Sequence, residues 1–196
     1  REVKVEVKEI VFPAREEKMQ KYEKEIPTRE ILEKIVADVL RDMKFDVATN
    51  VKLEGRGGAK IEVDVWGVKQ VAGAQFYVYV SCKNWKEKVG SQVVHEEHGR
   101  IWQLIQMPHL RVLVVREMTE QARREALVDG FIVIELGEKA SAENAGEIYE
   151  VVYSHLRELF MGMAPPELRN LAEEAKSISD KLREMAERLS RIASTS

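Results

Sequence analysis

Apolar residues recur along this chain in two rhythms, every second position and every third or fourth, and the changes of rhythm outline its elements. Near the start Val3, Val5 and Val7 alternate with charged residues, which predicts an edge strand ending near Pro13. Residues 14 to about 24 are dense in charge and predict a helix or a solvated linker leading to Ile26-Pro27. Thr28 is placed to cap a helix over Arg29–Met43, where Ile31, Leu32, Ile35, Val36, Val39 and Leu40 form one stripe. Phe45, Val47 and Val51 open the first central strand.

Strict alternation returns in Ile61-Glu-Val-Asp-Val-Trp66 and Tyr77-Val-Tyr-Val-Ser-Cys-Lys-Asn-Trp85. Period-two geometry sets Glu62 and Asp64 on one face of the first strand, and Tyr77, Tyr79, Ser81 and Lys83 on one face of the second. Ile61, Val63, Val65, Val78, Val80 and Cys82 face the other way, toward a core. The glycine-rich stretch Glu54–Lys60 lacks the spacing of a phosphate-binding P-loop and reads as a hairpin turn, and a second loop is expected over Gly67–Gln75.

Gly90–Gln106 predicts a helix carrying Val93, Val94, Ile101, Leu104 and Ile105, ended by Pro108. Leu110–Val115 is continuously apolar, as a strand buried on both faces requires; Thr119 caps a helix to about Val128; Phe131–Leu136 is another buried strand. Strand, helix, strand in that order implies a parallel pair joined by a right-handed crossover.

Beyond residue 145 the rhythm is wholly helical. Ile148, Val151, Val152, Leu156, Leu159 and Phe160 make one stripe before Met161–Pro166 interrupts it. Leu168, Leu171, Ala175, Ile178, Leu182, Met185, Leu189 and Ile192 then follow at alternating intervals of three and four, an a/d heptad seam. The seam predicts a homodimer through residues 167–196. The chain thus divides into an N-terminal segment 1–27, a core 28–140 and a helical extension 141–196.

Composition narrows the class. Hydrophobic residues make up 44% and charged residues 33% of the 196, the balance of a folding globular chain. No apolar run reaches membrane-span length and the first residues show no signal-peptide pattern, so a cytoplasmic chain with no membrane partner is expected. One cysteine, Cys82, excludes an internal disulfide, and its strand position reads as packing. Abundant Lys and Glu also suit a thermophile's ion-pair networks. Net charge is −3, and residues 28 to 136 hold sixteen Lys and Arg against sixteen Asp and Glu. A nucleic-acid surface would therefore need local segregation of charge. Arg56, Lys60, Lys83, Lys86, Lys88 and Arg100 supply such a cluster around the two alternating strands.

Two acids and a lysine on the polar faces of adjacent strands suggest chemistry on phosphate. The order acid-bearing helix, Asp strand, Lys strand, helix, strand, helix, strand resembles the PD-(D/E)XK nuclease superfamily, and most closely its Mrr-type restriction endonuclease branch. The matching pieces are Leu32-Glu-Lys-Ile-Val-Ala-Asp-Val-Leu40 with Phe45-Asp-Val47, Glu62-Val-Asp-Val65, Val80-Ser-Cys-Lys-Asn-Trp85, Val89-Gly90, Met118-Thr-Glu-Gln-Ala122 and Phe131–Leu136. The resemblance covers about residues 28 to 137 and implies an α/β, restriction-endonuclease-like core with a central mixed sheet flanked by helices.

It also implies roles. Asp64 would bind Mg²⁺ or Mn²⁺, Lys83 would orient or activate the attacking water, and Glu33 would support the metal shell. The sequence departs from the pattern at Ser81, where an acid is expected two residues before Lys83. Losing one carboxylate beside a dication weakens binding by a few kcal/mol, on a scale of roughly 4 kcal/mol per charge pair at 4 Å and intermediate dielectric. Glu62 could restore the charge, and relatives in this branch also tolerate a neutral Gln there. Gln92 and Arg100 are candidate phosphate contacts and Trp85 a candidate stacking residue, with rim packing as its alternative. His95 and His98 sit three apart, not the four a zincin needs, and read as a helix surface. Three functions stay open: a DNA endonuclease with a weakened metal site, an inactive nucleic-acid-binding module, and a scaffold that recruits a partner through its last helix.

Overall fold

The computed structural model describes residues 30–84, 87–137, 144–164 and 166–193. The expected N-terminal strand, the charged segment after it, the Thr28 cap and the division at residue 140 lie outside these, as do Trp85 and Lys86. The chain separates into two compact units, with the boundary between Tyr153 and Ser154.

In the first unit, helix α1 (Ile31–Asp42) buries Ile31, Leu32, Ile35, Val36, Val39 and Leu40, the stripe that the three- and four-residue spacing marks. Three antiparallel strands follow, β1 (Asp46–Glu54), β2 (Lys60–Val71) and β3 (Ala74–Lys83). Helix α2 (Ser91–Gln103) crosses to β4 (Leu110–Val115), and α3 (Glu120–Val128) crosses to β5 (Phe131–Glu135). β4 lies parallel to β3 and β5 parallel to β4, giving a mixed five-stranded sheet in the order β1-β2-β3-β4-β5. The parallel pair β4/β5 and the Thr119 cap, whose hydroxyl accepts from Ala122 N at 3.2 Å, are as the sequence predicts.

Three expectations need correction. β1 is an end strand of the described sheet, not a central one. The loop expected over Gly67–Gln75 shrinks to Ala72-Gly73, both at positive φ (+50° and +85°), the two-residue connection that suits a twisted hairpin. Gly67 instead sits inside β2, where a Cβ would meet Leu40 and Phe45 at 3.4 Å, so it marks where α1 lies close on the sheet. Helix α2 also stops at Gln103, because Leu104 turns extended and bridges back to Gly55.

Both sheet faces are covered. One core cluster joins Ile61, Val63, Trp66, Tyr79, Leu113, Val115 and Phe131 to Val93, Val94 and Ile101 of α2 and Ala122 and Ala126 of α3. By alternation the buried Val112 and Val114 face the opposite side. Helix α4 (Ala145–Gly162) begins in this unit, where the Tyr149 hydroxyl donates to Asp42 Oδ2 at 2.6 Å.

The second unit contains α5 (Pro166–Ala193). Leu168, Leu171, Ile178, Leu182, Met185 and Leu189 are each 56% to 64% exposed along it. Among the described residues no helix is long and apolar enough to cross a membrane.

Candidate active site

The site forms where β2 and β3 part. Their ladder runs from the Val71↔Ala74 end to Val65↔Val80 and stops, leaving Asp64 and Ser81 just past the last pair. Asp64 Oδ2 takes up a backbone donor left by the ladder's end, accepting from Cys82 N at 2.7 Å, and also accepts from the Ser81 hydroxyl at 3.2 Å. The same oxygen lies 3.7 Å from Lys83 Nζ. Asp64 and Lys83 therefore converge, with side chains 18% and 13% exposed.

The strict alternation expected of β2 fails at this point. Ile61 and Val63 share a core cluster with Trp66 and Tyr79, although a two-residue period would send them to opposite faces. The pairings Thr49↔Val65 and Val51↔Val63 leave Asn50 of β1 opposite Asp64, and Asn50 has a left-handed backbone, φ +48°. Asn tolerates that conformation better than most side chains, and the resulting kink swings its amide onto Glu33 Oε2 at 2.8 Å. Glu33 on α1 is thus joined to the site. Burial raises its carboxyl above the ordinary value; the Asn50 hydrogen bond works against this, and the neighbouring Asp64 charge adds to it.

Glu97 was not singled out from the sequence, yet its carboxylate is the nearest described one to Lys83, 3.0 Å from Nζ and only 2% exposed. Its other oxygen accepts a short hydrogen bond from the Tyr79 hydroxyl, and Arg100 approaches the first at 3.3 Å. Burial and the Glu97 charge push the Tyr79 phenol far above its usual value, which keeps it a donor. The only advance signal was helical spacing: Val93, Val94, Glu97 and Ile101 share one face of α2, so an acid there had to enter the core. Burial pushes the Cys82 thiol well up, with Asp64 adding to the effect, in keeping with a packing role.

The remaining candidates are more scattered. Glu62 is exposed, lies across from Lys52 on β1, and has no described contact with Asp64 or Lys83. Arg56 is turned to the end of α2, its Nε donating to Leu104 O at 3.2 Å; Lys60 pairs in register with Glu54 at the far end of the β1–β2 hairpin. Lys88 meets Glu117 at 3.2 Å and Gln92 donates to Glu96 at 2.9 Å, both near the surface. Among the described contacts Arg100 reaches the site through Glu97. His95 and His98 lie 3.3 and 3.2 Å from Glu125 of α3 and from Asp129, which follows that helix, an arrangement separate from the site.

The donors at the strand divergence are oxygens, the ligand class of Mg²⁺ and Mn²⁺. Among the described residues no three His, Cys, Asp or Glu side chains form a ready cage. Mg²⁺ does not need one, since it commonly keeps several waters and takes only one or two carboxylates together with substrate phosphate. All described contacts of Asp64 fall on Oδ2, leaving Oδ1 as a ligand atom. The chemistry of the donors present, carboxylate oxygens at Asp64 and Glu33, fits such an ion.

Known proteins offer independent comparison. No curated protein matches the chain. Among solved structures, a protein of unknown function, AF1548, shares 18% identity over 59% of this chain and 64% of its own, at TM-score 0.45. The MspJI restriction endonuclease in complex with a 27-mer oligonucleotide shares 18% identity over 74% of this chain and 35% of its own, at TM-score 0.38. The DNA modification-dependent restriction endonuclease AspBHI shares 16% identity over 74% and 42%, at TM-score 0.33. The chain therefore spans under two thirds of each of these structures. Residues 28–138 match the family Mrr_cat, restriction endonuclease, a span containing every strand of the sheet and the whole Asp64–Lys83 site. With more than half of its length inside that match, the chain belongs to the Mrr-type restriction endonuclease family.

Proposed function

We propose that this chain is a divalent-metal-dependent DNA endonuclease whose reactive centre is Asp64 and Lys83, acting as a homodimer through residues 167–196. The observation that carries the reading is the 3.7 Å approach of Lys83 Nζ to Asp64 Oδ2 where β2 and β3 part. Mg²⁺ or Mn²⁺ held by Asp64, with Glu33 supporting its shell, would polarise the scissile phosphodiester and lower the pKa of an attacking water. The Cys82 N–H and the Ser81 hydroxyl fix the Asp64 carboxylate, and Lys83 supplies positive charge where the phosphoryl oxygens become more negative. Arg56, Lys60, Lys86, Lys88, Gln92 and Arg100 are proposed backbone contacts, which position DNA without reading its sequence.

The test is incubation with supercoiled and branched DNA plus Mg²⁺ or Mn²⁺, beside a Lys83→Ala variant. Cleavage by the first protein and its loss in the second are expected; equal behaviour of the two removes the enzymatic reading.

One observation favours a second reading. Ser81, 1% exposed, puts a neutral hydroxyl where the resemblance expects a metal-binding acid. A chain that kept the fold and lost the chemistry would bind DNA with a steep salt dependence and cut none of it.

A further inference from the structure

Lys83 lies between two carboxylates and is closer to the one that the nuclease reading does not use. Its Nζ is 3.0 Å from Glu97 Oε1 and 3.7 Å from Asp64 Oδ2. Glu97 is held from behind by the Tyr79 hydroxyl and flanked by Arg100, so its position is set by α2 and β3 together. The arrangement matters because the β3 side chain against Asp64 is the neutral Ser81, so among the described contacts Asp64 is the strand carboxylate that meets Lys83. An ammonium collapsed onto Asp64 would compete with any cation for it.

We propose that Glu97 is a positioning residue that draws Lys83 away from Asp64 and so keeps the Asp64 carboxylate open to a divalent cation. The inference rests on the metal-dependent reading above. It assigns to α2 an electrostatic task that an acid at position 81 would otherwise share: balancing the lysine without occupying the metal ligand. Glu97 acts through Lys83, so its effect must depend on the lysine being present.

That dependence is measurable as a double-mutant cycle on Mn²⁺ affinity, read by calorimetry on the whole chain without DNA. Glu97→Gln, close to isosteric, is expected to weaken Mn²⁺ binding by about tenfold or more, in the range typical for loss of a supporting partner. In a Lys83→Met background the same change is expected to leave affinity unaltered within about twofold, since no ammonium remains to fall onto Asp64. Glu97→Asp, which keeps the charge but shortens its reach, should give a smaller loss with the same dependence on Lys83, and it stands in should the Gln variant lose its cooperative unfolding. An unchanged affinity in Glu97→Gln, or an equal loss with and without Lys83, overturns the inference while leaving the nuclease reading intact. A wild-type chain that binds no Mn²⁺ overturns both.

Discussion

At the scale of single residues the site is a problem of packing like charges near one another. Asp64 and Glu97 flank one ammonium with Glu33 close enough to feel the Asp64 charge, and each is tied by a neutral or cationic donor: Cys82 N–H and Ser81 for Asp64, Asn50 for Glu33, Tyr79 and Arg100 for Glu97. Glu33 carries the strain most visibly, since burial raises its carboxyl above the unfolded value near 4.5. A carboxyl raised by folding binds its proton more tightly in the native state. Its ionisation therefore costs nothing below the unfolded value, and the cost grows as pH rises through the raised one and is complete above it. Glu33→Gln should accordingly raise stability relative to the parent at pH 7, with the gain shrinking toward pH 4, as measured by urea unfolding at both values. A gain independent of pH would contradict this assignment. Asp64 and Lys83 were legible in the sequence because period-two alternation and family order both marked them. Glu97 was not, because His95, Glu96, Glu97 and His98 read together as a solvated surface, and only the register of α2 against the sheet separates the buried acid from the exposed ones.

At the scale of elements, what local rules govern was readable and what non-local contact governs was not. β4 and α3 fall where the sequence puts them: an uninterrupted apolar run needs cover on both faces, and Thr119 satisfies the first turn of its helix. Gly67 misled because glycine usually marks a loop; here it answers to α1 passing overhead, a contact no neighbouring residue announces. The slip of alternation in β2 lies across the ladder from the left-handed Asn50, where Asp64 sits against Ser81. Asn50→Ala should cost about 1–2 kcal/mol, from placing a Cβ residue without a local hydrogen bond in the left-handed region. Asn50→Gly should be the milder change because it adopts that conformation freely. Chemical denaturation of the two variants checks the order, and an alanine variant as stable as the glycine one would show that the kink at Asn50 is not under strain.

For the whole molecule two features bear on the proposed function. Its charge is nearly balanced, −3 overall, so attraction to a polyanion, as proposed, must come from local cations and not from the chain at large. Its last helix leaves an apolar stripe more than half exposed, Leu168, Leu171, Ile178, Leu182, Met185 and Leu189, at the spacing a two-stranded coiled coil uses. A second copy of the chain covers that stripe in our account and holds two centres together, as cutting both strands of a duplex requires. Leu171→Glu combined with Leu182→Glu should convert a dimer into a monomer in sedimentation equilibrium while the first unit stays folded; a wild-type chain that is already monomeric at micromolar concentration would reject the dimer. The central claim concerns the chemistry at Asp64, and the most direct measurement is the conversion of supercoiled plasmid to nicked and linear forms with Mg²⁺ or Mn²⁺, comparing the parent with Asp64→Asn. The account predicts metal-dependent cleavage by the parent and its loss in the variant; cleavage that persists without the carboxylate, or a parent that binds the plasmid but never cuts it, would contradict it.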